Sequence, residues 1–456
     1  MTSSINVETQ NRLEKTALYV FGLAVLITVC ILIMGVMIHR KAIDPEALTN
    51  FKYMRELNIG DIWTGETFPG HFVTYRPLMA TLLRMEYLVF GFSPPAYFTI
   101  NLVMLILVAF LLYDIIFRKT GEMLPALLGT LFFITDWQIV QAIYVIGEVQ
   151  ITLAGFFGLS ALWLFWFRKD SKILKPTAIF ILLLAAAFSK EFGMAFAFAI
   201  FIYSIYKRAG NWKTYAALSV GSVLTFFVIR FLAVPEMPMG REYPSFLNML
   251  KWLFLNTTSG FVFTFLNLFR PASDGDLPKI ETLHFPATES WLVLIFQIIP
   301  IILLFILGIR NKDYRKITLP FLFLLIGNSF LFFFNYAFRF HFLGKIAMYA
   351  IVGFGIHSLY KKSLQVPKRI STLIIAFMAI TVILLWRGDS FHKYLETHRS
   401  WTENNVLCIP TDEYYQQEDF YGYFTSTDQE TVRLVVDYYG FPIEYCDCLD
   451  PHGYCK

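Results

Sequence analysis

The chain has 456 residues, of which 56% are hydrophobic, 18% aromatic and only 16% charged. So much apolar surface on so few charges excludes a soluble globular enzyme and places the chain among polytopic membrane proteins. The net charge of +4 is small, and no nucleic acid is expected among its partners.

Along the chain, apolar runs predict membrane helices at 17–38, 97–117, 123–140, 144–167, 176–189, 192–206, 215–234, 290–309, 317–337, 342–360 and 371–386. That makes an all-α polytopic body of about 11 transmembrane helices over residues 1–386. The first run, 17–38, is 22 residues long, too long for a signal-peptide core and without a small-x-small site before His39, so it reads as an uncleaved anchor. Orientation comes from the short loops. Basic groups sit at Arg12/Lys15, Arg118/Lys119, Arg168 to Lys175, Lys207 to Lys213, Arg310 to Lys316 and Lys361 to Arg369. They fall at every second crossing, as the positive-inside rule requires for a cytoplasmic N-terminus and an external C-terminus. The expected location is therefore an integral membrane, the plasma (inner) membrane in a prokaryote or the endoplasmic reticulum in a eukaryote.

Two long external loops are expected, 39–96 and 235–289. The first includes an interrupted apolar stretch, 74–91, suited to lying along the membrane surface. The second holds 246–269, which could form an interfacial pair, a re-entrant hairpin or a crossing. Between them, 31 residues separate Lys175 from Lys207, both placed in the cytoplasm. Two full crossings need about 40 residues. The segment therefore predicts a short hairpin whose apex, Ser189-Lys190-Glu191, stays sunk within the membrane, where ionised groups need a water-filled cavity. The competing reading is one long helix over 176–206.

From Arg387 the character changes. Residues 387–456 carry 13 acidic and 5 basic residues, a strand-like stretch at 432–439, and Cys408, Cys446, Cys448 and Cys455. In an oxidising compartment these four cysteines are disulfide candidates with three possible pairings. A metal site from Cys446, Cys448, His452 and Cys455 is the rival, although the spacing fits no common zinc pattern. Cys30, inside the first span, is expected to be a buried apolar residue.

The charges that remain inside or beside the spans gather at one face. Asp44, Arg76, Asp136, Glu148, Lys190, Glu191, Arg230, Arg339, His341 and Lys345 all fall at or just below the outer surface on this topology. Charged side chains at membrane depth are expensive and usually functional. One-sided clustering of both signs favours a site open to one side, hence an enzyme over a channel. Asp44 and Glu46 of Asp44-Pro45-Glu46 could serve as a general base or hold a divalent cation such as Mg or Mn near phosphate; a helix cap is the plain alternative. Arg76, in Gly70-His71-Phe72-Val73-Thr74-Tyr75-Arg76-Pro77-Leu78, reads as a substrate contact or an interfacial anchor. Arg339, His341 and Lys345 put three potential cations within seven residues, a plausible anion site against snorkelling as the plain reading.

These segments together resemble the membrane-embedded C-type (GT-C) glycosyltransferases, which use sugars carried on polyprenyl or dolichyl phosphate, and within them the TMTC/protein O-mannosyltransferase-like group. The resemblance runs through Ala42-Ile43-Asp44-Pro45-Glu46, then Asp61-Ile62-Trp63 leading into Thr74-Tyr75-Arg76-Pro77-Leu78 with Asn101 after it. It continues in Phe188-Ser189-Lys190-Glu191-Phe192-Gly193 and Arg339-Phe340-His341-Phe342-Leu343. It implies that Asp44 takes the proton of an acceptor hydroxyl, and that Arg339, with Lys190, steadies the departing lipid phosphate. The partners implied are a polyprenyl-phosphate-linked sugar donor and an acceptor glycan, lipid or protein. Where the family has two adjacent aspartates this chain has Asp-Pro-Glu, and no tetratricopeptide repeats follow the membrane body. A transporter or flippase of a lipid-linked or anionic substrate is the alternative from another class, and an inactive GT-C relative a third.

If the alternation of basic loops sets the topology, reporters fused after Lys172, Lys213, Lys316 or Lys368 are cytoplasmic, and those after Ser273 or Gly422 are external. A cytoplasmic signal at Gly422 would mean an even number of crossings and would move the charge cluster to both faces.

Overall fold

In a computed structural model, the residues described are 2–38, 54–55, 57–65, 75–91, 93–136, 139, 146–168, 173–208, 211–234, 299–331, 341–363, 407–410 and 443–446. Asp44, Glu46, Arg339, Cys448 and Cys455 lie outside them, as do the expected span 371–386 and the stretches 246–269 and 432–439.

The body is all-α. Its helices are α1 (Thr2–Ile38), α2 (Ile59–Thr64), α3 (Pro77–Phe90), α4 (Pro94–Thr120), α5 (Met123–Ile134), α6 (Val149–Phe167) and α7 (Leu174–Ser189). They continue with α8 (Met194–Lys207), α9 (Trp212–Ala233), α10 (Ile299–Arg310), α11 (Arg315–Leu331) and α12 (Phe342–Ser363). Single 3₁₀ turns, Ile146–Glu148 and Glu191–Gly193, lead into α6 and α8. Among the described residues, five segments are long and apolar enough to cross a membrane: Leu13–Leu32, Pro95–Thr120, Ile146–Phe167, Trp212–Ala233 and Phe342–Lys362. The chain is a membrane protein on that evidence.

The centre of the bundle is α12. Residues 341–357 are buried throughout, because α5, α10 and α11 pack around this helix, with α4 and α6 also against it. Small residues make the close approach possible, as expected where lipid supplies no hydrophobic drive between helices. A Cβ on Gly355 would fall 1.8 Å from the backbone oxygen of Leu304, and one on Gly308 would fall 2.2 Å from that of Ile351. Neither backbone can yield cheaply, so α10 and α12 touch through their glycines.

The short hairpin is present. Helix α7 ends at Ser189, Lys190 is extended (φ −160°, ψ 141°), and α8 restarts after one turn. Its helices have 16 and 14 residues, about 24 and 21 Å at 1.5 Å per residue. Both fall short of a hydrocarbon core of about 30 Å, so neither helix is long enough to cross one. Gly193 is required there, since a Cβ would lie 2.3 Å from the backbone oxygen of Ala186. A single helix over 176–206 is thereby overturned.

Two expectations need correction. The span drawn over 123–140 ends at Ile134; Thr135 turns its hydroxyl back to the Leu131 carbonyl, 2.7 Å away, and Asp136 leaves the helix to meet a partner on α12. The stretch 74–91, suited to lying along the membrane surface, contains the 14-residue helix α3. The buried charge is not confined to one face. Asp114, near the other end of α4, accepts from Tyr19 of α1 (2.9 Å), Arg118 (2.6 Å) and Trp163 of α6 (2.6 Å). This carboxylate ties three helices together and is surrounded by donors, as a buried charge must be.

In the tail, β1 (Leu407–Pro410) and β2 (Ile443–Cys446) pair in parallel. The register sets Cys408 opposite Glu444 and Cys446 opposite Pro410. Cys408 and Cys446 are offset by two positions, roughly 8 Å between Cα atoms from strand spacing and rise, beyond ordinary disulfide reach. Among the three pairings, the ladder therefore disfavours the one joining these two.

Candidate functional site

Three segments far apart in sequence converge at one end of the bundle. Arg76 directly precedes Pro77, the first residue of α3. A residue before proline is excluded from helical geometry, and Arg76 takes φ −132°, ψ 60°. From that position its guanidinium reaches the hairpin apex. Nε lies 3.0 and 3.1 Å from the two carboxylate oxygens of Glu191, and Nη2 lies 2.9 Å from Oε1. Nη1 donates to Gln150 Oε1 at 2.8 Å. The planar fork is thus occupied on two edges, an arrangement that a lysine cannot reproduce. Among the described residues the pair is partly exposed, at 17% for Arg76 and 34% for Glu191.

Aromatic packing fixes this corner. The Tyr75 hydroxyl donates to the Trp63 carbonyl (2.9 Å), and the Trp63 indole donates to Thr81 on α3 (3.0 Å). Phe188, two residues before Lys190, meets the edges or faces of Trp63, Tyr75 and Phe226 at centroid distances of 5.4, 6.1 and 5.6 Å. Asp61, in the first turn of α2, is exposed and accepts from Asn58 at 3.3 Å.

Behind the accessible pair, Lys190 lies 3.3 Å from Glu148 Oε2, with side-chain exposures of 1% and 0%. The third pair joins Lys345 Nζ to Asp136 Oδ2 at 2.8 Å, both wholly buried. Tyr349, one turn along α12, donates to the same oxygen at 2.7 Å. His341 is buried one turn before Lys345. The cations expected to gather around an anion are therefore engaged with carboxylates from other helices: Arg76 with Glu191, Lys190 with Glu148, and Lys345 with Asp136. Of the predicted site residues, the structure brings Arg76, Lys190 and Glu191 into one corner and sets His341 and Lys345 on α12.

Besides Asp114, a second buried carboxyl was not singled out from the sequence. Glu86 on α3 is 4% exposed, and its Oε1 has no hydrogen-bond partner among the described residues. It sits on the helix face that packs Met79 and Leu83 beside Tyr97. Burial pushes its pKa up to about 8. Among the described residues no group of three or more His, Cys, Asp or Glu converges to hold a metal ion.

Compared with known proteins, the chain matches no family model and no curated relative.

Glu86 supplies a pH signature. Its folded pKa lies above the unfolded carboxyl value, so the folded state holds the extra proton and stability falls as pH rises from about 4.3 to about 8. Glu86→Gln removes that loss. Melting of the purified variant should match the parent near pH 4.5 and exceed it near pH 8.5. Equal melting of the two proteins at both pH values would mean that Glu86 is hydrated in the folded state.

Proposed function

We propose that the protein is a membrane-embedded glycosyltransferase that moves a sugar from a polyprenyl or dolichyl phosphate to an acceptor on the external face. The observation that carries this reading is the Arg76–Glu191 contact. It joins two of the segments that resemble the C-type glycosyltransferases, its partners 115 residues apart, and Trp63, from the same segment as Arg76, packs on Phe188 of the other. Residues scattered by sequence but gathered in space around partly exposed charge suit a reaction site better than scattered anchors.

In this reading the chain makes eleven crossings, with the N-terminus cytoplasmic. The acceptor hydroxyl oxygen attacks the anomeric carbon and forms the new glycosidic bond. The bond from that carbon to the phosphate oxygen breaks, and its electron pair leaves with the lipid phosphate. The hydroxyl proton passes to a carboxylate, Asp44 by resemblance with Glu46 beside it, and the configuration inverts. Asp44 and Glu46 would also be the holders of any divalent cation. Cations near the departing phosphate offset its developing charge. Arg339 takes that role by resemblance. Lys190, closed against Glu148, acts as a positioning residue for the apex, and the Arg76–Glu191 pair shapes the mouth.

The test is consumption of a polyprenyl-phosphate hexose by purified protein given membrane extract as the acceptor source. The parent should consume donor. Asp44→Asn should slow it by roughly 10²–10⁴-fold, the usual contribution of a general base. Arg76→Lys should slow it roughly tenfold to a hundredfold, since a point charge replaces a fork. Both variants should melt close to the parent. A parent that leaves the donor intact, or an Asp44→Asn variant at full rate, would remove the reading.

A further inference from the structure

Arg230 stands near the outer end of α9, one turn beyond Phe226, whose ring packs on Phe188 under the hairpin apex. Glu191 is the carboxylate whose charge acts on it, yet that carboxylate is already forked by Arg76. Nη2 of Arg230 is shut away from solvent with no hydrogen-bond partner among the described residues. The residue as a whole is half-buried, and Nη2 is the part of its guanidinium that is held inward, where simple snorkelling would carry it outward. A buried cationic donor left unpaired is costly and calls for a partner.

The surroundings indicate what that partner is. On the outward face of the same helix, Leu224, Phe227, Val228, Phe231 and Leu232 are half or more exposed, and no described residue covers them. Arg230 thus lies on the seam between this apolar face and the polar corner formed by Arg76 and Glu191. A ligand that fills both sides of the seam has an anionic head and a long apolar tail.

We propose that Arg230 holds the phosphate of the polyprenyl carrier, with the carrier's chain laid along the outward face of α9. This rests on the glycosyltransferase reading and adds the residue and the helix face that receive the donor. The phosphate takes the unpaired Nη2 hydrogen. The tail never leaves the hydrocarbon, and the sugar beyond the phosphate projects toward the water-accessible mouth.

The test uses the full chain, purified in phosphatidylcholine nanodiscs, with undecaprenyl phosphate as the probe and affinity read by native mass spectrometry. Arg230→Gln should weaken binding roughly tenfold to a hundredfold, the scale of losing a hydrogen bond to a charged group. Arg230→Lys, which keeps the charge and guards against misfolding, should recover only part. Lys213→Gln makes the same charge change at the exposed far end of α9 and should leave affinity unchanged. Parent-like affinity in both Arg230 variants, with the parent still consuming donor, overturns this assignment alone. Equal competition by phosphatidylglycerol would also overturn it, marking a general anionic-lipid contact. A parent that binds no undecaprenyl phosphate overturns both this and the enzyme reading.

Discussion

Opposite charges that must find one another without bulk water govern this fold. Lys190 with Glu148, Lys345 with Asp136 and Arg76 with Glu191 each join elements that are distant in sequence. The cost of burying a lone charge is large, and breaking a buried pair costs about 3–5 kcal/mol, although well-packed apolar residues in both places can do as well. These pairs are therefore weak evidence for extra stability and better evidence for specificity of arrangement. They decide which helix ends meet: α5 with α12 through Asp136, the turn before α6 with the hairpin apex through Glu148, and the loop before α3 with the same apex through Arg76.

The consequence for chemistry is a gradient of access. The inner pairs are closed, while Arg76 and Glu191 remain partly exposed. A reacting site needs both conditions, a rigid floor and an accessible mouth, and the aromatic stack of Trp63, Tyr75, Phe188 and Phe226 supplies the rigid part between them. Because Phe188 immediately precedes Ser189-Lys190-Glu191, its packing fixes the apex as firmly as the ion pairs do. On the opposite side of the bundle, the Asp114 knot does the same for α1, α4 and α6.

Much of the architecture was legible because it follows from one-dimensional constraints. The hairpin was readable from the distance between two basic loops, and the break at Lys190 from the impossibility of crossing twice in so few residues. Long apolar runs located α4, α6, α9 and α12 within a few residues. What was not legible depended on partners. Lys345 looks like a free cation in sequence because nothing local announces Asp136, 209 residues earlier by number. The end of α5 at Ile134 escaped detection for the same reason, since hydropathy continues past the point where Asp136 is needed elsewhere. Glu86 resembles a solvated residue on an amphipathic helix, and only packing against Tyr97 and α6 reveals that its face is the inner one.

Charge compensation between Lys190 and Glu148 is what holds the hairpin apex in place. A double-mutant cycle on Lys190 and Glu148, read by thermal and denaturant melting of purified protein, measures that directly. Lys190→Met and Glu148→Leu should each cost about 3–5 kcal/mol, because each breaks a buried ion pair. The double variant should recover most of that loss, giving a coupling of the same order. Two single variants that melt like the parent, or costs that simply add in the double, would contradict it.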